Sequence, residues 1–137
     1  MADDPNVVVA RARRCLGVPF RLQGRDASGL DCVGLVALAY RLTDGVPADY
    51  RLRGTDVASA VALLDARLCR RAGAVSEAGD VLLVTPGPAQ LHLGIWTGTG
   101  LVHAHAGLRR VVETPGLPGG LIGIWHSRKD VSWQHYC

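Results

Sequence analysis

Cys32 stands in the run Leu30-Asp31-Cys32-Val33-Gly34-Leu35, where a polar loop meets an apolar helical pattern, and histidines follow at positions 92, 103 and 105. A thiol at a helix start meets unpaired backbone N–H groups and the positive end of the helix dipole. Both favour thiolate, the nucleophilic form. Most free cysteines only fill gaps in a core, and Cys15, Cys69 and Cys137 read that way. Catalysis needs more: a histidine to take the thiol proton and a third polar group to fix that histidine's tautomer.

The strands after residue 90 offer both. In Leu91-His92-Leu93-Gly94-Ile95-Trp96, alternation sends the aliphatic residues to one face and His92 and Trp96 to the other. The next run, Leu101-Val102-His103-Ala104-His105, places His103 and His105 on a single face, and Thr97-Gly98-Thr99-Gly100 between the runs reads as a hairpin turn. A two-residue loop at Gly98-Thr99 sets His92 opposite His105 and Gly94 opposite His103, so all three imidazoles share a face. One cysteine and an H-x-H pair can also hold zinc. No carboxylate or second cysteine stands at ligand spacing, Glu113 being the only acid close by, so neither a metal nor a cofactor is expected. His126 and His135 have no comparable context.

The elements that must position these residues are helical first and extended afterwards. Asp4 and Pro5 open a helix over 5–16, which Gly17 and Pro19 stop. Phe20 to Leu30 reads as a loop, with Asp31 where an N-cap belongs. A second helix spans 32–43, ended by Thr43-Asp44-Gly45-Val46-Pro47. After a loop containing Tyr50, a third runs over 55–71 from Thr55 or Asp56, with Arg67, Arg70 and Arg71 in its last turn as a solvated, dipole-favoured end. Short apolar runs at 80–85, 91–97, 100–105, 109–113 and 121–126 then read as strands. This order predicts an α+β fold, with N-terminal helices packed on one side of an antiparallel sheet, and argues against an alternating βαβ plan.

Composition sets the outer limits. A chain of 137 residues, 48% hydrophobic and 20% charged, is globular and of one domain, 1–137. Fourteen of its fifteen basic residues are arginine, and a formal charge of +3 is too weak to argue for nucleic acid. The cysteines form no CxxC pair and read as mostly reduced thiols. Arg11, Arg13 and Arg14 break the first apolar run, so neither a signal peptide nor membrane insertion is expected, and synthesis is expected in the cytoplasm.

Five motifs in order resemble those of the NlpC/P60 cysteine peptidases, papain-like α+β domains that hydrolyse cell-wall peptides. They are Gly17-Val18-Pro19-Phe20, Asp31-Cys32-Val33-Gly34-Leu35, Gly79-Asp80-Val81, His92-Leu93-Gly94-Ile95-Trp96 and Leu101-Val102-His103-Ala104. The resemblance covers about residues 10–126. It implies Cys32 as nucleophile, His92 as general base, His103 as the residue that orients His92, and the Cys32 backbone N–H as an oxyanion donor. By the hairpin register alone His105 would face His92, and a longer or bulged turn would bring His103 there instead. Two departures stand out. The family tyrosine is Phe20, twelve residues before Cys32, which removes a hydroxyl near the thiol, and the family serine is Val33, which removes one used on the substrate's amino end. Asp31, Phe20, Trp96 and His105 are the expected substrate-facing residues, with Asp31 able to face an amine and Trp96 either lining the groove or capping the sheet.

The implied activity is a peptidoglycan endopeptidase acting on stem peptides between γ-D-glutamate and diaminopimelate. The alternative is a weakly active or inactive structural tail or hub component of the same fold; an acyltransferase or thioesterase on this fold is a third reading. A bare catalytic domain resembles the branch carried by phage tails and gene-transfer particles, which implies tail proteins as partners and action in the periplasm as part of a particle.

Overall fold

The structure, a computed structural model, describes residues 4–42, 56–73 and 76–127. Helix α1 (Pro5–Arg14) is followed by the short strands β1 (Arg25–Asp26) and β2 (Gly29–Leu30), and then by α2 (Cys32–Tyr40) and α3 (Val57–Arg67). Strands β3 (Cys69–Arg71), β4 (Val81–Thr85), β5 (His92–Trp96), β6 (Gly100–His105), β7 (Arg110–Pro115) and β8 (Gly120–His126) complete the chain. The last six form one antiparallel sheet ordered β3-β8-β4-β5-β6-β7. The expected α+β plan is therefore what forms. The turn over 43–47, Tyr50, Thr55 and everything after Ser127 lie outside the described residues.

Each helix starts on an aspartate. Asp4 accepts from the Asn6 N–H at 2.8 Å, Asp31 from Gly34 at 2.8 Å and Asp56 from Ser59 at 3.0 Å, which satisfies amides that have no partner within the helix. Helix α2 is apolar nearly all round and is buried nearly all round, as a central helix must be. It lies against α1, β5 and β6, and the main core joins all three helices to Val81, Leu83, Leu93, Ile95, Val102, Ala104, Val111 and Trp125. A smaller cluster of Leu82, Val84, Leu101 and Ile124 covers the far face of the sheet, with Trp96 and Leu121 packed on it.

Three expectations change. Helix α3 ends at Arg67, because Leu68 is extended and Cys69–Arg71 pairs with β8 as an edge strand. Arg70 and Arg71 therefore do not close a helix: the Arg70 guanidinium stacks 5.2 Å from the Trp125 ring centre, and Arg71 makes two 3.0 Å bonds to the buried Asp80. Cys69 is disulfide-bonded and not a reduced thiol, whereas Cys15 and Cys32 are free. The Gly79-Asp80 pair is tied down from both sides, since the Tyr40 hydroxyl donates to the Gly79 carbonyl and the Glu77 N–H donates to Asp80 at 2.8 Å. That anchorage holds the start of β4 beneath α2.

Candidate active site

The nucleophile candidate is set by its cap. Asp31 spends one carboxylate oxygen on the Gly34 N–H, so within the first turn of α2 the amides of Cys32 and Val33 are left to face the Cys32 sulfur. The sulfur also lies against β5, where the Leu93 N–H reaches it. All three amides favour the anion. They are outweighed: burial, first, and the neighbouring Asp31 charge, second, push the thiol up to about 12. Cys32 is 9% exposed. The resting side chain is thus a thiol, and the expectation of a helix-start thiolate fails because the residue that caps the helix is itself negative and the sulfur is out of water.

His92, next to Leu93 at the start of β5, is the imidazole nearest in sequence to that contact. Its Nε2 stands 2.5 Å from His103 Nδ1, with the rings edge to face and their centres 4.6 Å apart. The hairpin register is the one the two-residue turn demands, with Ile95 opposite Val102 and Trp96 opposite Leu101. No longer turn is required. His103 reaches His92 as a diagonal neighbour, a span that long side chains bridge across an antiparallel pair. Burial is the first cause that holds both imidazoles down to about 4; His103 and His105 add to it for His92, and His105 for His103. At neutral pH the pair is uncharged.

His105 is drawn aside. Its Nδ1 accepts the Leu108 N–H at 3.0 Å and its ring centre is 5.6 Å from that of His103. With His92, His103, Gln90, Leu91 and Gly107 it lines a cleft of about 470 Å³. A larger hollow of about 560 Å³, beside Tyr40, Arg71 and Asp80, has none of the three imidazoles in its wall. Among the described residues no group of three His, Cys, Asp or Glu is placed to hold a metal ion.

One residue expected to face substrate is committed elsewhere. Asp31 is 3% exposed and turned inward: besides capping α2 it accepts from the Gln23 N–H at 2.9 Å and pairs with the Arg25 guanidinium at 2.8 Å. Its charge is answered within the protein and not by a substrate amine. Phe20 and Trp96 are half-buried, Phe20 against the main core and Trp96 against the cluster on the far sheet face. Val33 is interior. Glu113 is taken by Arg13, through two 3.0 Å bonds, and by the Thr97 hydroxyl at 3.1 Å. The residue that sequence reasoning missed is Thr114, whose hydroxyl oxygen is 2.7 Å from His103 Nε2. Strand β7 runs one turn of the alternation further than its apolar pattern indicates, and that extension is what brings Thr114 alongside β6.

Comparison with known proteins bears on what such a site belongs to. A family model described as the NlpC/P60 family matches residues 17–117. No curated protein sequence matches the chain. Among solved structures, the NlpC/p60 domain of the peptidoglycan hydrolase SagA superposes with a TM-score of 0.64 at 20% identity, covering 90% of this chain and 98% of that one. NlpC1 from Trichomonas vaginalis gives 0.67 at 19%, over 91% of this chain and 45% of that one. RipD from Mycobacterium tuberculosis, described as a non-catalytic NlpC/p60 domain protein adapted to peptidoglycan binding, gives 0.60 at 19%, over 89% and 95%. At these identities the likeness is one of fold.

Proposed function

The chain belongs to the NlpC/P60 family, and from that premise we propose that it is a peptidoglycan endopeptidase that cleaves stem peptides by a Cys32-His92-His103 mechanism, between γ-D-glutamate and diaminopimelate. The observation that carries the reading is the 2.5 Å contact of His92 Nε2 with His103 Nδ1 at the wall of a cleft, on the strand whose next amide touches the Cys32 sulfur. The neutral thiol and neutral imidazole indicate general-base catalysis in place of a standing ion pair. As the sulfur attacks the amide carbonyl carbon, the C–S bond forms, the carbonyl π pair moves to oxygen and the thiol proton passes to His92. The Cys32 and Val33 amides would receive the oxyanion. Collapse breaks the C–N bond, the leaving amine takes the proton from His92, and water then hydrolyses the thioester.

The pH dependence follows from the two displaced pKa values. His92 is a competent base only when neutral, so kcat/KM falls as pH drops through about 4, tenfold per unit below it, and stays flat through neutrality because Cys32 does not ionise until about 12. The test is digestion of γ-D-glutamyl-diaminopimelate muropeptides from pH 3 to 9, with a new diaminopimelate amine as the product read by mass spectrometry. Absence of that product sinks the hydrolase reading, and an acid limb at 6.5 or above contradicts the neutral pair.

A second reading, a weakly active or inactive structural tail or hub component of the same fold, is favoured by the raised Cys32 pKa and by Phe20 and Val33 in place of hydroxyl-bearing residues; folded protein that cleaves nothing in the same assay would support it. Delivery by a phage tail or gene-transfer particle, with tail proteins as partners and action in the periplasm, is proposed from the resemblance of the sequence to that branch. Among the described residues no helix is long and apolar enough to cross a membrane.

A further inference from the structure

Thr114 sits near the end of β7, opposite Leu101 and diagonal to His103, with its hydroxyl oxygen 2.7 Å from His103 Nε2. His103 thus touches a neighbour through each ring nitrogen: His92 at Nδ1 and Thr114 at Nε2. We propose that Thr114 is a positioning residue that sets the tautomer of His103 and, through it, decides which nitrogen of His92 is free to take a proton. The inference rests on the hydrolase reading above for its link to rate, and on the two ring-nitrogen contacts of a neutral His103 for its link to the tautomer.

A neutral imidazole carries one N–H, and both rings are neutral at pH 7 because their pKa values are held near 4. Two proton arrangements satisfy both contacts. In the first, the Thr114 hydroxyl donates to His103 Nε2, His103 Nδ1–H donates to His92 Nε2, and the single proton of His92 is left on Nδ1. The only lone pair of His92 is then consumed on His103, and the ring has no site at which to accept the Cys32 proton. In the second, His103 Nε2–H donates to the Thr114 oxygen, so its Nδ1 accepts from His92 Nε2–H and His92 Nδ1 keeps a free lone pair. Only the second arrangement gives a base. It also serves after proton transfer, because the imidazolium of His92 goes on donating through Nε2 to an acceptor already in place. The hydroxyl can serve either arrangement, but only the second depends on it: without an acceptor at Thr114, His103 Nε2–H would be left a buried donor with no partner, while an unpaired Nε2 lone pair costs less.

The experiment pairs kinetics with a tautomer measurement. Thr114→Val keeps the shape and the strand preference but removes the acceptor; Thr114→Ser keeps the acceptor. In protein labelled with 15N at histidine, near pH 7, wild type is expected to show His103 as the Nε2–H tautomer, with its signal assigned by its loss in His103→Asn. T114V is expected to shift that tautomer towards Nδ1–H and to lower kcat on muropeptides roughly tenfold with KM unchanged, the effect of one lost hydrogen bond. T114S is expected to recover the wild-type tautomer and most of kcat. An Nδ1–H tautomer in wild type overturns the proposal, and so does a T114V protein with unchanged tautomer and unchanged kcat. The spectra need no turnover, so a wild-type protein that cleaves nothing counts against the hydrolase reading while the tautomer result still decides the role of Thr114.

Discussion

Cys32→Ala is expected to reduce muropeptide cleavage by roughly five orders of magnitude or more, the scale on which removal of a covalent nucleophile acts. The sulfur is the thiol nucleophile at the start of α2, and three backbone amides converge on it. Little else should change. Alanine is the best helix former and Cys32 lies at the helix start, so the variant gives up only the packing of one buried sulfur, about 1 kcal/mol. A thermal midpoint close to wild type together with lost turnover locates the defect in the chemistry. Initial rates followed by chromatography of the products measure it, and cleavage within tenfold of wild type would remove Cys32 from the mechanism.

Gly34→Ala is expected to be the most damaging small substitution for stability. A Cβ at this position would lie 1.9 Å from the Gly24 carbonyl oxygen and 3.2 Å from Leu30 Cδ2. The first of these is backbone and cannot turn away. Gly24 is itself confined, since a Cβ there would lie 2.3 Å from the Gly29 carbonyl oxygen, and its N–H is bonded to Arg21 at 2.8 Å. Relief would have to move the whole 21–29 segment, which carries the Gln23 amide and the Arg25 guanidinium that hold Asp31. The expected cost is about 3 kcal/mol or more, a fall on the order of 10 °C in Tm, read by thermal melting. A midpoint within about 2 °C of wild type would show that the close approach is not rigid. The glycine two residues after the cysteine thus serves the site at one remove: it lets the helix lie against the loop that neutralises its own cap.

Local rules carried much of this site. Asp31 as an N-cap, the alternation that puts His92 off the aliphatic stripe, and the two-residue hairpin turn at Gly98-Thr99 depend on neighbours within a few residues, and each is found. What the sequence concealed is tertiary. Whether a helix-start thiol ionises depends on how deeply the helix is buried and on the sign of the group capping it, and here both oppose ionisation. Asp31 reads as a substrate ligand until Arg25, brought round by the β1–β2 hairpin, is seen to answer it. Cys69–Arg71 carries a helical charge pattern yet pairs with β8, because a strand edge and the buried Asp80 offer more than a further helical turn. His103 over His105 was set by a diagonal reach that no residue count distinguishes, and Thr114 came into view only once the strand carrying it was known to extend past Glu113.

The proposed mechanism passes through a covalent thioester on Cys32, and digestion of γ-D-glutamyl-diaminopimelate muropeptide in the presence of hydroxylamine tests it most directly. A thioester partitions between water and the added nucleophile. The D-glutamyl product is expected to appear partly as its hydroxamate, in a share that rises with hydroxylamine concentration and vanishes together with all turnover in Cys32→Ala. Cleavage that yields only the free acid at every hydroxylamine concentration, or that persists in Cys32→Ala, would contradict it.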